Sequence, residues 1–266
     1  MTNKENLPNS LYKYQPYASW SIKNLEKHSL WFSKPHHFND PYDCSINLNT
    51  EDISEDQWLK LYRYYKENMK ERFSEEDIDS EYLENGIPNN KFRKQAISKS
   101  IELFSDYEST LLNERGVACF SEKVDEMLMW SHYTNGHRGF CVEFDTNYEP
   151  FNDKQRIFQV NYSKSIPTIN PIEIMMSKSI DSLDPMMKML ATKSDHWSYE
   201  NEWRIFHMDG DFSYELDPNA ISGIYFGCLM PIENKRKIAS IFRDSSTHLF
   251  EMHKHDHKFR IYSKLI

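Results

Sequence analysis

Two glutamates stand two residues apart in Tyr199-Glu200-Asn201-Glu202-Trp203-Arg204. On an extended strand Glu200, Glu202 and Arg204 share one face, because side chains alternate with period two. Carboxylates so close repel, and one of them is pushed up in pKa unless a cation intervenes. Such a pair can hold a sugar hydroxyl while positive charge develops at an anomeric carbon, which is the chemistry of glycosidic cleavage. The same residues equally suit a cross-strand ion-pair ladder with Arg204 and Lys193 as cations. The sequence leaves both uses open.

A second cluster is Met129-Trp130-Ser131-His132-Tyr133 followed by Gly136-His137-Arg138-Gly139. Its aromatics and glycines suit a pocket rim, with Gly136 as a helix C-cap and Gly139 where backbones approach closely. His132 alone also fits a helix end satisfied by a backbone carbonyl. Ser33 has no base beside it, and no G-x-S-x-G occurs, so a serine hydrolase is unsupported. Asp40 and Asp43 flank Pro41 as turn caps rather than metal ligands. In His253-Lys254-His255-Asp256-His257-Lys258, three imidazoles on one strand face would suit a transition metal. With lysines between them a solvated edge is expected, and with Arg260 and Lys264 following, this segment is the expected local basic patch. Cys44, Cys119, Cys141 and Cys228 have no CxxC spacing and read as reduced thiols; no metal is expected.

The elements that must position these residues follow from periodicity. Strands are expected at 11–14, 30–33, 117–120, 140–145, 157–162, 203–207, 221–226 and 259–262. Helices are expected from Ser54 to about 74, at 90–113, 126–133 and 172–190, and near 234–242. Short strands without regular strand–helix alternation argue α+β. The 266 residues carry a net charge of −9, against a sequence-blind basic nucleic-acid binder, though a local basic groove stays open. No apolar run approaches the ~20 residues of a membrane span, and MTNKENLPNS lacks a signal-peptide core, so a cytoplasmic protein is expected. With 7 glycines and neither GxGxxG nor GxxxxGK[ST], dinucleotide and P-loop fingerprints are missing.

The segments Leu11–Tyr14, Leu30–Pro35, Phe38–Asp43, Met129–Tyr133, Gly139–Phe144 and Trp197–Arg204 together resemble a prokaryotic family of unknown function, along nearly the whole chain. A second resemblance is to ADP-ribosyltransferases. Tyr12-Lys13 stands where a Tyr-His pair often stands, Trp31-Phe32-Ser33 is similar to a Tyr-Phe-Ser strand, and Glu200-x-Glu202 to a Glu-x-Glu motif. That resemblance implies NAD as substrate. Glu202 would bind the nicotinamide-ribose 2′-OH, Glu200 would orient or deprotonate the acceptor, and Ser33 would support Glu202. Tyr42 or Trp130 would stack on nicotinamide, and Tyr12, Lys13 and His132 would complete the NAD site. Lys13 departs from the pattern, since an ammonium cannot accept a hydrogen bond.

The resemblance implies an α+β fold of mixed, mainly antiparallel sheets in an ADP-ribosyltransferase-like split core, with peripheral helices. The chain is expected to be a single domain, 1–266, with a helical insertion at about 50–115. The implied function is a toxin- or antiphage-type effector that modifies a macromolecule, RNA, DNA or protein, with a neutralising antitoxin as partner. Two rivals are a metal-dependent nuclease or hydrolase using Asp40, Asp43, His132 and Glu143, and a non-enzymatic nucleotide-sensing module.

Overall fold

The computed structural model describes residues 7–176 and 183–266. The chain opens with β1 (Ser10–Gln15), α1 (Ser19–Glu26), β2 (Ser29–Phe32) and β3 (Asn47–Leu48). A helical block follows: α2 (Glu55–Met69), α3 (Glu75–Tyr82), the hairpin β4 (Leu83–Glu84) and β5 (Ile87–Pro88), and α4 (Asn90–Asn113). Next come β6 (Gly116–Ser121), α5 (Met127–Tyr133), β7 (Phe140–Asp145), β8 (Ile157–Gln159), β9 (Asn161–Ser163) and β10 (Thr168–Ile169). Then run α6 (Pro171–Met176), α7 (Leu183–Leu190), β11 (Thr192–Ser194), β12 (Glu202–His207) and β13 (Phe212–Glu215). The last elements are β14 (Ile221–Phe226), α8 (Ile232–Ile241), β15 (His248–Lys254) and β16 (Ile261–Leu265).

Eight strands form one sheet in the order β16-β15-β14-β7-β1-β6-β12-β8. Each neighbouring pair is antiparallel except β14 with β15. The architecture is therefore α+β with a mainly antiparallel sheet. The middle of the sheet is unusual. β1 pairs with β7 along all of Ser10–Gln15, but meets β6 at Tyr12↔Ser121 alone. Beyond that pair the strands part, and β6 turns to Ser33: Val117 N–H donates to the Ser33 carbonyl at 2.8 Å, and Ser33 N–H donates back at 3.1 Å.

Alternation along the strands builds two apolar faces. Phe140, Val142 and Phe144 of β7 join Leu11, Phe120, Trp203, Ile205 and Ile224 in a core closed by Ile22 and Leu25 of α1 and Ile238 of α8. Each such side chain contributes about 1.5–3 kcal/mol when fully buried. Cys141, between them in sequence, faces the other way and packs with Tyr14, Trp130, Tyr225, Met252 and Ile261.

The helical block has its own core of Trp58, Leu61, Tyr62, Ile78, Tyr82, Phe92 and Ala96, with Ile172 of α6. Its helices begin where capping side chains permit. Ser54 Oγ accepts the Gln57 N–H while the Gln57 side chain accepts the Ser54 N–H. Ser74 and Asn89 cap α3 and α4. Tyr107 and Leu111 of α4 tie the block to Val117, Phe158 and Phe206 of the sheet.

Three expectations are corrected. The single helix expected over 54–74 ends at Met69, and α3 starts anew at its Ser74 cap. Strand β15 was not expected, and the last strand starts at Ile261, not Phe259. Of the Met-rich segment 172–190, α6 and α7 are helical and 177–182 lies outside the described residues. No helix among the described residues is long and apolar enough to cross a membrane.

Candidate functional site

A cavity of about 490 Å³ opens where β1 and β6 part. Tyr12 and Lys13 of β1 line it, as do Ser33, His132 and Tyr133, with Lys193, Glu200 and Glu202 at its charged end. Six of the eight residues singled out from the sequence therefore meet here: Tyr12, Lys13, Ser33, His132, Glu200 and Glu202.

The two glutamates arrive differently from the strand pattern. Glu202 begins β12, whereas Glu200 ends a 3-10 turn over Asp195–Glu200, and Asn201 between them is left-handed at φ 45°. Both are buried. Lys193 of β11 donates to Glu200 Oε2 at 2.5 Å and to Glu202 Oε2 at 2.9 Å. Arg204 donates through Nε to Glu202 Oε1 at 2.7 Å, and through Nη2 to both oxygens of Asp43 at 2.9 and 2.8 Å. Its Nη1 donates to the Leu190 carbonyl. The ion-pair ladder with Arg204 and Lys193 is thus present, with Asp43 as a member that was read from sequence as a turn cap.

Three carboxylates face two cations, and this count sets the electrostatics. Burial alone would raise the Glu202 pKa, but Arg204 and Lys193 overcome it and hold the carboxyl down at about 2. For Glu200 burial wins over Lys193, and the neighbouring Glu202 adds to it, so its pKa is raised. Burial would lower the Lys193 pKa, yet the surrounding carboxylates raise it. Glu200 is therefore the carboxyl of the set that takes a proton most readily, and its other oxygen accepts a 2.6 Å hydrogen bond from Tyr133 OH.

Opposite stands Lys13, whose Nζ donates to the Cys119 carbonyl at 2.9 Å and lies 5.1 Å from the centre of the Phe120 ring. Burial lowers its pKa, against the pull of Cys119 and Glu202. No carboxylate among the described residues pairs with it. The Tyr12 hydroxyl donates to Glu143. His132 is exposed, its ring among Tyr133, Trp197 and Tyr199. Ser33 lines the cavity without bonding Glu202, whose oxygens are taken by Arg204 and Lys193.

Two expected residues lie elsewhere. Trp130 is wholly buried, its Nε1 donating to the Val124 carbonyl at 2.6 Å and its ring edge-on to Tyr14, so it offers no face to the cavity. Tyr42 is 66% exposed and lines a separate hollow with Trp197 and Lys164. Of the aromatic residues that do line the cavity, Trp20 and Trp31 are exposed. Trp31 was legible: it sits between buried Leu30 and Phe32, so alternation turns it outward. Gly139 holds the α5 turn against β1, because a Cβ there would overlap the Gln15 carbonyl, and Gly136 is left-handed at φ 64°.

The residues of the metal-hydrolase rival do not converge. Asp43 is engaged by Arg204, Asp40 accepts from Trp197 Nε1 and the Tyr42 N–H, and Glu143 accepts from Tyr12 and Tyr225. Among the described residues no group of three or more His, Cys, Asp or Glu could hold a metal. His253 ends on β15, while His255 and His257 lie in the turn beyond, so the three imidazoles do not share a strand face.

Residues 129–205 match the model of a family described as a protein of unknown function, DUF2971. The match agrees with the resemblance to an uncharacterised family, over a shorter stretch than expected, and runs from α5 through β12. It therefore contains His132, Tyr133, Lys193, Glu200, Glu202 and Arg204. No curated protein and no solved structure matches the chain.

Proposed function

We propose that this cavity binds NAD and that the chain transfers its ADP-ribose to a macromolecule. One observation carries the reading: both glutamates lie at the charged end of a cavity set in the split of the sheet. Strands β16-β15-β14-β7-β1 form one half and β6-β12-β8 the other, joined at Tyr12↔Ser121. In this reading the two halves are the split core of an ADP-ribosyltransferase-like fold.

The chemistry follows from where the carboxylates lie. Nicotinamide in NAD is cationic, and as its bond to ribose breaks the electron pair passes to the ring nitrogen while positive charge moves to the anomeric carbon. A carboxylate at the cavity wall, Glu200, stabilises that charge where it develops. Glu202, clamped by two cations, fixes Lys193 and Arg204. Glu200, with the raised pKa, takes the proton from the acceptor hydroxyl or amine as its bond to the anomeric carbon forms. Lys13 faces the diphosphate, and Trp20 or Trp31 supplies a stacking face. An enzyme that modifies nucleic acid or protein in this way would act as a toxin or antiphage effector and would need a neutralising partner in its own cell.

The saturation of Glu202 favours a second reading, a nucleotide-sensing pocket without turnover. Incubation with adenylate-labelled NAD, followed by separation of RNA, DNA and protein, decides between them. Label in one fraction, lost in Glu200→Gln, supports transfer and names the acceptor. NAD binding without consumption supports the sensor, and neither binding nor consumption overturns both.

A further inference from the structure

A second hollow of about 510 Å³ lies beside the turn joining β15 to β16, with Met127, His137, Lys254, Lys258, Phe259 and Arg260 among its walls. Although the chain is acidic overall, residues 254–264 carry Lys254, Lys258, Arg260 and Lys264 against Asp256 alone. Residues 254–260 are all exposed, and Phe259 is 96% exposed. Lys254, Lys258 and Arg260 pair with no carboxylate among the described residues. His137 also lines the hollow, and its Nδ1 is buried without a hydrogen-bond partner, the ring stacked on Trp130. A buried polar atom of that kind ordinarily has a partner.

The geometry points to this turn and hollow as a docking surface for a single-stranded nucleic acid, which under the proposed transfer reaction is the acceptor. Bare cations meet phosphates, and a fully exposed aromatic ring offers a face on which a base stacks without regard to sequence.

The two hollows share α5 as a wall. Met127 faces the basic turn, whereas Met129, His132 and Tyr133 of the same helix line the first cavity. At about 100° per residue, those three fall about 140–240° round from Met127, on the opposite face. A strand held by the basic turn thereby lies across α5 from Tyr133, whose hydroxyl bonds Glu200.

The role of acceptor rests on the transfer reading; the binding does not, and it is tested without NAD. Fluorescence anisotropy of the full chain with labelled twelve-nucleotide oligo(U) and oligo(dT) is expected to give binding with a salt slope of about −2, from 0.7 per phosphate at three cations. Replacing Lys254, Lys258 and Arg260 by Ala together should bring that slope close to zero and weaken binding at least about tenfold at low salt. Phe259→Ala should weaken binding about 5- to 100-fold and leave the slope unchanged. These side chains are exposed, so the variants should keep the wild-type circular dichroism and melting temperature. Preference for one oligonucleotide supports the inference and names RNA or DNA. No binding by wild type at 100 µM, or binding that both variants leave intact, overturns it. Binding without NAD turnover overturns the transfer reading alone, and turnover without binding overturns the docking surface alone.

Discussion

The two hollows on either side of α5 are nearly equal in volume and opposite in construction. In the first, every charge of the Asp43, Lys193, Glu200, Glu202, Arg204 set is buried and paired. In the second, Lys254, Lys258 and Arg260 are exposed, with no carboxylate partner among the described residues. The difference is a matter of dielectric. A charge taken from water must be paired by the chain itself, while an exposed one keeps its hydration until a partner displaces it. The first hollow is therefore preorganised at a cost in desolvation, and its residues are coupled. The second is assembled from residues that act independently, and it can be altered without disturbing the fold.

The sharpest way to break this contrast is Arg204→Met. It leaves Asp43 and Glu202 buried without their shared cation, and urea denaturation should show a loss of about 3–5 kcal/mol. A loss under 1 kcal/mol would mean that water reaches the network and the site is not preorganised. Lys193→Met should cost roughly half as much, because the raised pKa of Glu200 lets that carboxyl take a proton instead.

Next comes Glu200→Gln, which should keep the fold and reduce NAD turnover at least ~100-fold. Its pH dependence has a definite sign. The folded pKa of Glu200 is raised, so its contribution is fully present below the unfolded value and is lost as pH rises through the folded value. Wild type should therefore lose stability relative to Glu200→Gln as pH rises. Glu202 behaves in the opposite sense. Its contribution is present above the ordinary value of 4.5 and is lost as pH falls toward about 2. The stability gap between wild type and Glu202→Gln should close over that range. Urea midpoints at pH 3, 5 and 8 test both signs.

Smaller is the effect of Trp31→Ala. At 40% exposure its ring adds little to the fold, so the melting temperature should hold while NAD binding weakens about 5- to 10-fold, the loss of one stacking face. Unchanged binding would move the stacking role to Trp20. Smallest of all is Lys258→Ala, which should leave stability within about 0.5 kcal/mol, measured by the same denaturation.

Much of this was legible one residue at a time. Alternation placed β7, while Ser54 and Asn90 marked helix starts to within a residue, and Lys193 was named as a cation for the glutamate pair. The period-two argument put Glu200 on the strand, and there it failed. Asn201 takes the left-handed conformation, which asparagine tolerates better than most residues, so Glu200 reaches the cavity from a turn. Trp130 was read as a rim residue because its neighbours are, but α5 turns Trp130 inward while His132 and Tyr133 face the cavity.

What the sequence determined by itself is therefore local: which segments are extended or helical, which residues bear charge, and that Glu200, Glu202 and Arg204 had to be used or paired. Those properties depend on neighbours within a few positions. The tertiary structure decided the rest. It opened the sheet between β1 and β6, brought Asp43 to Arg204 across 161 positions, and chose Glu200 over Glu202 as the carboxyl with the raised pKa. Desolvation and Coulomb energy depend on distance in space, and no spacing along the chain encodes that distance.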